Sequence, residues 1–271
     1  MIKTVVMGAA GRMGNRIINM ICQSEGIELY GSVERRGHSA VGKDVGQVSG
    51  LETLGVSIVD DLNSIVNNCD VIIDFTTPMA SLNSLKMAAE NKKAIVIGTT
   101  GFSIEEKDYI HKMANKTRCV LAPNMSIGVN VLFKIVEEIT KIIGKEYDIE
   151  LMEAHHRQKK DAPSGTAMKL AEIIADVLNR DLNKVGIFGR KGIIGERSRE
   201  EIGIQTLRGG DIVGEHTVIF YGTGERIELI HKAHSRDNFA KGAVLAAKWI
   251  VAQKPGLYDM QDVLGLRKER N

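Results

Sequence analysis

The sequence predicts an α/β protein of two domains, a doubly wound parallel sheet followed by a smaller α+β unit with a largely antiparallel or mixed sheet. Three observations predict it. Short β-branched runs alternate with amphipathic helical patterns between residues 2 and 124. Glycine-rich turns stand at the ends of several of those runs, where a parallel sheet presents its ligand face. Beyond residue 147 the rhythm changes to longer strand patterns, the last two separated only by Gly222-Thr223-Gly224, as in a hairpin.

In order, "IKTVVM" (2–7) reads as a strand, "GAAGRMG" (8–14) as a turn, and the next segment as a helix with Ile17, Ile18 and Ile21 on one side. Gly8, Gly11 and Gly14 form a Gly-x-x-Gly-x-x-Gly variant of the dinucleotide fingerprint. Glycines there let the backbone turn tightly and approach a pyrophosphate, which sits at the helix N-terminus where amide hydrogens are unpaired. A plain strand-to-helix turn is the bland alternative. A second strand, "IELYGSV" (27–33), ends at Glu34, twenty residues after Gly14, where a carboxylate is expected to accept hydrogen bonds from ribose hydroxyls. Arg35 and Arg36 follow. A lone carboxylate favours NADH by repelling a 2′-phosphate, whereas an adjacent guanidinium clamps that phosphate, so both together suggest use of NADH, NADPH or either. A solvated turn is the alternative for the two arginines.

Further strands follow at "CDVIIDFT" (69–76), "AIVIGTTG" (94–101) and "CVLAPN" (119–124), with helices after Pro78 and from Ser103. The first half is therefore expected to be a Rossmann-like domain, with the turns "GTTG" (98–101) and "APNMS" (122–126) facing the nicotinamide. A tight loop without ligand contact is the other reading of 98–101. A long periodic helix from Ser126 leads out of this domain, and "DNFAKGAVLAAKWIVAQ" (237–253), with Phe239, Val244, Ala247 and Trp249 available for packing, is expected to return to it. The expected division is 1–126 with 236–271 for the dinucleotide domain and 127–235 for the second.

In the second domain "YDIELMEAH" (147–155), "EIGIQTLR" (201–208), "GEHTVIFYG" (214–222) and "ERIELIHKA" (225–233) read as strands. The stretch "HHRQKKDAPSGT" (155–166) gathers two imidazoles, four charged groups and two hydroxyls in twelve residues. It joins His155 and His156, at a strand end, to a helix begun by Ser164-Gly165-Thr166, with Pro163 at the helix start and a stripe of Leu170, Ile173, Ile174 and Val177. Free amides at that helix start, the Ser164 and Thr166 hydroxyls, and Lys159 or Lys160 would make a carboxylate receptor. A histidine beside it suits proton transfer near neutral pH. The alternatives are a capped surface loop or a metal site, and no further ligand is spaced to complete the latter. The loop 180–200 reads as solvated.

Composition excludes several classes. Among 271 residues, 36 basic and 34 acidic side chains leave a net charge of +2, so no overall field draws in nucleic acid or a membrane surface. Cys22, Cys69 and Cys119 lie in apolar stretches without ligand spacing and are expected to be buried thiols of a reducing compartment. No signal peptide or apolar run of membrane-spanning length is read, so a cytoplasmic location is expected.

"EAHHRQKKDAPSGTA" (153–167), with "GAAGRMG", "GTTG", "APNMSIGVN" (122–130) and "GDIVGEHT" (210–217), resembles the 4-hydroxy-tetrahydrodipicolinate reductase family nearly end to end. The resemblance implies an NADH- or NADPH-dependent reductase of diaminopimelate and lysine biosynthesis, acting on a cyclic dicarboxylic imine, as a homotetramer assembled through the second domain. It implies that His155 is the proton donor and Lys159 its catalytic partner, with His156, Lys159, Gly165 and Thr166 holding substrate carboxylates. For the cofactor it implies Gly8, Ala9, Ala10, Gly11, Arg12, Met13, Glu34, Arg35, Gly98, Thr99, Thr100, Ala122, Pro123, Asn124 and Met125. Pro123 stands where many relatives have a backbone donor, which removes any contact from that amide. The implied chemistry is loss of water, hydride addition to the ring and protonation of the resulting enamine. Two other classes stay open: another two-domain dehydrogenase acting on homoserine or a semialdehyde, and a non-enzymatic nucleotide sensor, which would need no proton donor.

Overall fold

The structure is a computed structural model that describes residues 1–267; residues 268–271 of the expected dinucleotide domain lie outside the described residues. The chain divides into two compact units, Met1–Ile127 with the segment from Arg236 onward, and Gly128–Ser235.

In the first unit β1 (Ile2–Met7) leads into α1 (Arg12–Cys22) and β2 (Ile27–Val33), followed by the short α2 (Val45–Val48) and β3 (Ile58–Val59). Then come β4 (Val71–Asp74), α3 (Pro78–Glu90), β5 (Ala94–Ile97), α4 (Ile104–Ala114) and β6 (Arg118–Leu121). Pro78 opens α3 with its fixed backbone angle, and Ser103 caps α4 in a reciprocal pair with Glu106.

In the second unit α5 (Ile127–Ile143) precedes β7 (Asp148–His155), α6 (Gly165–Leu178), the short α7 (Leu182–Val185) and β8 (Gly186–Ile187). Strands β9 (Ile202–Arg208), β10 (Gly214–Tyr221) and β11 (Arg226–Ala233) complete it. The chain returns to the first unit through α8 (Asp237–Ile250), β12 (Gly256–Tyr258) and α9 (Met260–Val263).

The first sheet has the order β12-β6-β5-β4-β1-β2-β3 with every pairing parallel. Its central strands are buried on both faces, which is why they read as unbroken apolar runs. Val6, Ile73 and Val96 face one core with α1 and α8, while Val5, Ile72 and Ile95 face another with α3 and α4. Helix α8 approaches closely because its contact residues are small. A Cβ at Gly242 would stand 1.7 Å from the Met125 carbonyl oxygen. Strand β12 is too short to have shown periodicity in the sequence.

The second sheet has the order β11-β10-β7-β9-β8 and is mixed. Strands β7 and β10 pair antiparallel, but β7 and β9 pair parallel, joined by the crossover helix α6. Ile149 and Leu151 of β7, Ile202 and Ile204 of β9, and Val218 and Phe220 of β10 share one face and pack on α5 and α6. Burying each such side chain contributes about 1.5–3 kcal/mol.

Several expectations are corrected. Cys22 is exposed rather than buried; only Cys69 and Cys119 are enclosed. Pro163 follows a cis peptide bond from Ala162 and precedes the helix cap, instead of occupying the first helical position. Val177 is half-buried outside the core, and Ala171 and Ala175 take its place in the α6 stripe, because the helix packs close against the sheet. The loop 180–200 is largely exposed, and ion pairs tie it to the sheet: Arg190 forms a fork with Glu150 and a pair with Glu201, and Arg197 pairs with Asp148 and Glu150. Among the described residues no helix is long and apolar enough to cross a membrane, and no cluster suits a metal ion.

Candidate active site

In the first unit the predicted nucleotide residues gather at the carboxyl ends of adjacent parallel strands. The strand order reverses direction about β1, whose neighbours are β4 and β2; ligands of doubly wound sheets bind at such a switch point. Gly8 ends β1 with φ +66°, a conformation only glycine adopts freely, and its carbonyl accepts from the Gly11 amide at 2.9 Å. A Cβ at Gly14 would lie 2.1 Å from the Gly8 oxygen, so that glycine lets α1 start against the strand end. Gly11 caps α1 without a side-chain hydrogen bond, and no acidic residue lies in the first turn. Such an uncapped helix start, bearing Arg12 and Met13, fits an anionic phosphate group.

Glu34, one residue past β2, accepts from the Ala10 amide at 2.9 Å and the Arg35 amide at 3.1 Å, which ties the acidic side chain to the glycine turn beside buried Ala9. Arg35 is exposed with no acidic partner among the described residues, whereas Arg36 pairs with Asp60 at 3.6 Å. Gly98 ends β5 against the Phe75 ring, where a Cβ would stand 2.2 Å away. The Thr99 hydroxyl lies 2.7 Å from that of Ser81, which donates to Asp74 at 2.9 Å, while Thr76 donates to the same carboxylate at 2.6 Å. This network commits the Thr99 side chain to holding the turn, leaving Thr100 exposed. Asp74, the last residue of β4, and Ser81 of α3 were missed by the sequence reading. After β6, Ala122 and Met125 are buried, Pro123 is exposed, and Asn124 accepts from the Ser126 amide at 2.8 Å.

In the second unit the inner face of the sheet is apolar up to Leu151 and polar beyond it. Strand alternation puts Glu153 and His155 on the same side as Ile149 and Leu151. Glu153 pairs in register with Thr206 on β9 and His216 on β10, and His155 with Arg208. Sequence reasoning missed Glu153, Arg208 and His216, because only strand register brings them to one place. Glu153 is fully buried. It accepts from His155 Nδ1 at 2.6 Å, the Ser164 amide at 3.0 Å, the Thr206 hydroxyl at 3.3 Å, and both ends of the Arg208 guanidinium at 2.8 and 2.9 Å. Burial alone would push its carboxyl up, but Arg208, His155 and the Ser164 amide together hold it below the usual carboxylate range.

An ionised carboxylate can only accept, so His155 carries its hydrogen on Nδ1 and leaves Nε2 for chemistry. Burial lowers the His155 pKa, the Glu153 contact opposes that, and the charges of Lys159 and Arg208 reinforce it. Gly214 of β10 makes room for the ring, since a Cβ there would meet Nε2 at 3.0 Å. His216 packs edge-on against His155, with centroids 5.3 Å apart, and its own pKa is pushed down to about 3, chiefly by burial.

The strand ends at His155, so His156 is released from the alternation. Its amide donates to the Ile212 carbonyl at 2.8 Å, and its Nδ1 is enclosed without a hydrogen-bond partner. Lys159, one turn later, reaches Asp161 at 2.9 Å, while Lys160 is exposed. Ser164 caps α6 through the Ala167 amide at 3.1 Å and lies 3.1 Å from His216 Nε2. Gly165 follows as the first helical residue. A Cβ there would meet nothing within 4 Å, and the backbone is not left-handed, so the fold places no demand for glycine at this position. Thus His155, His156, Lys159, Ser164, Gly165 and Thr166 are grouped within one strand-loop-helix segment.

The described N-terminal and C-terminal family profiles for dihydrodipicolinate reductase match residues 2–125 and 128–264. The 4-hydroxy-tetrahydrodipicolinate reductases of Geotalea uraniireducens and Syntrophus aciditrophicus are each 58% identical over 267 residues, 98% of this chain and 100% of theirs. A dipicolinate-bound dihydrodipicolinate reductase from Paenisporosarcina superposes with a TM-score of 0.76 at 26% identity, over 97% of this chain and 98% of its own. An aspartate semialdehyde dehydrogenase from Vibrio cholerae shares the fold alone, with a TM-score of 0.55 at 11% identity over 92% of this chain and 98% of its own. With the two profiles spanning nearly its whole length, the chain belongs to the dihydrodipicolinate reductase family.

Proposed function

We propose that this chain reduces 4-hydroxy-tetrahydrodipicolinate to tetrahydrodipicolinate with loss of water, in diaminopimelate and lysine biosynthesis. The observation that carries this is the His155–Glu153 pair beside the start of α6, a proton donor next to a carboxylate receptor. The substrate bears two carboxylates. Lys159, the α6 amides at Gly165 and Thr166, and the Ser164 region supply positive charge and donors for them. His156, with its enclosed unpartnered Nδ1, offers another donor. Lys159 would exchange Asp161 for a substrate carboxylate.

The family uses pyridine nucleotides, and the Gly8 turn, the uncapped start of α1 and Glu34 fit one, with Ala9, Ala10, Gly98 and the 122–125 turn alongside. When bound, the nicotinamide supplies the hydride. The chain's own contribution is to hold the substrate and deliver a proton from His155 to the ring after hydride addition. Lys159 stabilises negative charge that builds on the substrate. Glu34 beside Arg35, which has no acidic partner among the described residues, supports acceptance of both NADH and NADPH.

An acylating semialdehyde reaction needs a reactive thiolate, and burial raises all three thiols, Cys69 to about 11 and Cys119 to about 12. The open face of the second sheet carries exposed Met152, Leu207 and Ile230, which supports assembly as a homotetramer through this unit. The biosynthetic role and three free thiols, two of them buried, support a cytoplasmic location. The deciding experiment is a coupled assay with freshly generated hydroxy-tetrahydrodipicolinate and either cofactor. His155→Ala is expected to lower kcat by on the order of 10² or more while nucleotide binding is unchanged. Wild-type turnover in that variant would remove the assignment.

A further inference from the structure

We infer that Glu153 and Arg208 act together as a positioning pair for the proposed proton donor, the carboxylate fixing the His155 tautomer and the guanidinium limiting its proton affinity. This rests on the reading of His155 given above. The geometry is specific. The Arg208 fork grips both Glu153 oxygens, at 2.8 and 2.9 Å, and so sets the plane of the carboxylate. One oxygen then points at His155 Nδ1, 2.6 Å away, and the other receives the Ser164 amide at 3.0 Å. The same carboxylate therefore ties the donor at the end of β7 to the receptor at the start of α6. Arg208 also donates to the Asp161 carbonyl at 2.6 Å, which anchors the loop carrying Lys159.

The charged and titratable groups around His155 come from every element packed there: Glu153 on its own strand, Arg208 on β9, the neutral His216 on β10, and Lys159 and Asp161 on the loop. His231 on β11 lies beyond His216 in register. Of these, Glu153 is the group in direct contact that favours the imidazolium, and Arg208 is the cation bound to both Glu153 oxygens, including the Oε2 that His155 contacts. A carboxylate on Nδ1 keeps Nε2 as the working atom, so the acid form donates from Nε2 and returns to a neutral ring of defined tautomer.

The two partners must then move the His155 titration in opposite directions. In Glu153→Gln the amide carbonyl keeps the Ser164 amide and one Arg208 nitrogen, the bond from the other Arg208 nitrogen is given up, and a neutral NH2 replaces the anion beside Nδ1, which disfavours the imidazolium. In Arg208→Gln the carboxylate is no longer shared with a cation, which favours it. The expected shifts are roughly one pH unit or more, downward for Glu153→Gln and upward for Arg208→Gln. Above both pKa values, one unit downward leaves about tenfold less acid form, and kcat falls with it.

The test is a titration of the full-length protein labelled at histidine 13Cε1, with His155 assigned from the loss of its signal in His155→Asn, together with kcat and KM against pH. Opposite shifts, with kcat changed more than KM, are expected. Shifts in the same direction, or none, overturn the inference. Should Glu153→Gln not yield folded protein, the sign of the Arg208→Gln shift alone decides. The titration reads the ring directly, so it stands even without turnover, whereas an inactive wild-type enzyme would overturn the functional reading instead.

Discussion

Replacing Gly165 by alanine should separate folding from function by moving them in opposite directions. The residue opens α6 with an ordinary right-handed backbone, and an added Cβ meets no atom within 4 Å beyond its own helix and chain neighbours. The fold therefore gains from the change: alanine restricts the unfolded chain more than glycine and stabilises such a position by about 0.4–1 kcal/mol. At roughly 2–4 °C per kcal/mol for a chain of this size, the melting temperature should rise by about 1–4 °C. Substrate recognition loses. The methyl group stands beside the first amides of the helix, where the proposed carboxylate docks, and holds it away from one of them. A hydrogen bond to a charged group contributes about 1.5–3 kcal/mol, so KM should rise roughly 10- to 100-fold. Differential scanning calorimetry and steady-state kinetics with freshly generated substrate measure the two halves. An unchanged KM would show that no ligand approaches this helix start, and a lowered melting temperature would show that the space beside it was misjudged.

Three further outcomes are expected. The His155 pKa is lowered mainly by burial, so the acid form is present at low pH and kcat/KM should fall as pH rises through a value below the ordinary imidazole range; two bound carboxylates favour the imidazolium, so the limb in kcat should lie at higher pH. His216, 3% exposed with a folded pKa of about 3, stays neutral while an unfolded chain takes up a proton. Its contribution is full above pH ~6.5 and is lost as pH falls from there toward 3, at about 1.4 kcal/mol per pH unit, and denaturant unfolding against pH should show a flatter slope in His216→Gln. Glu34→Ala should weaken NADH more than NADPH, and Arg35→Ala the reverse, by roughly tenfold each; equal effects in fluorescence titrations would detach both residues from the ribose.

Much of this protein is determined locally. The parallel sheet was legible because strands covered on both faces must be apolar throughout, and the glycine turn because Gly8 and Gly14 answer to steric demands at fixed spacing. The stretch from His155 to Thr166 was legible because proton transfer and carboxylate binding require uncommon residue types close together. Tertiary structure decided the rest. In the sequence Glu153 is one more residue of a strand, and Arg208 and His216 stand 55 and 63 positions further on, in separate strands. Only the parallel β7–β9 and antiparallel β7–β10 registers bring them to one level of one face. Cys22, apolar in context yet exposed, was decided by which side of α1 meets the sheet. Pairing of distant strands is a long-range choice made by the whole core, and a local pattern carries no record of it.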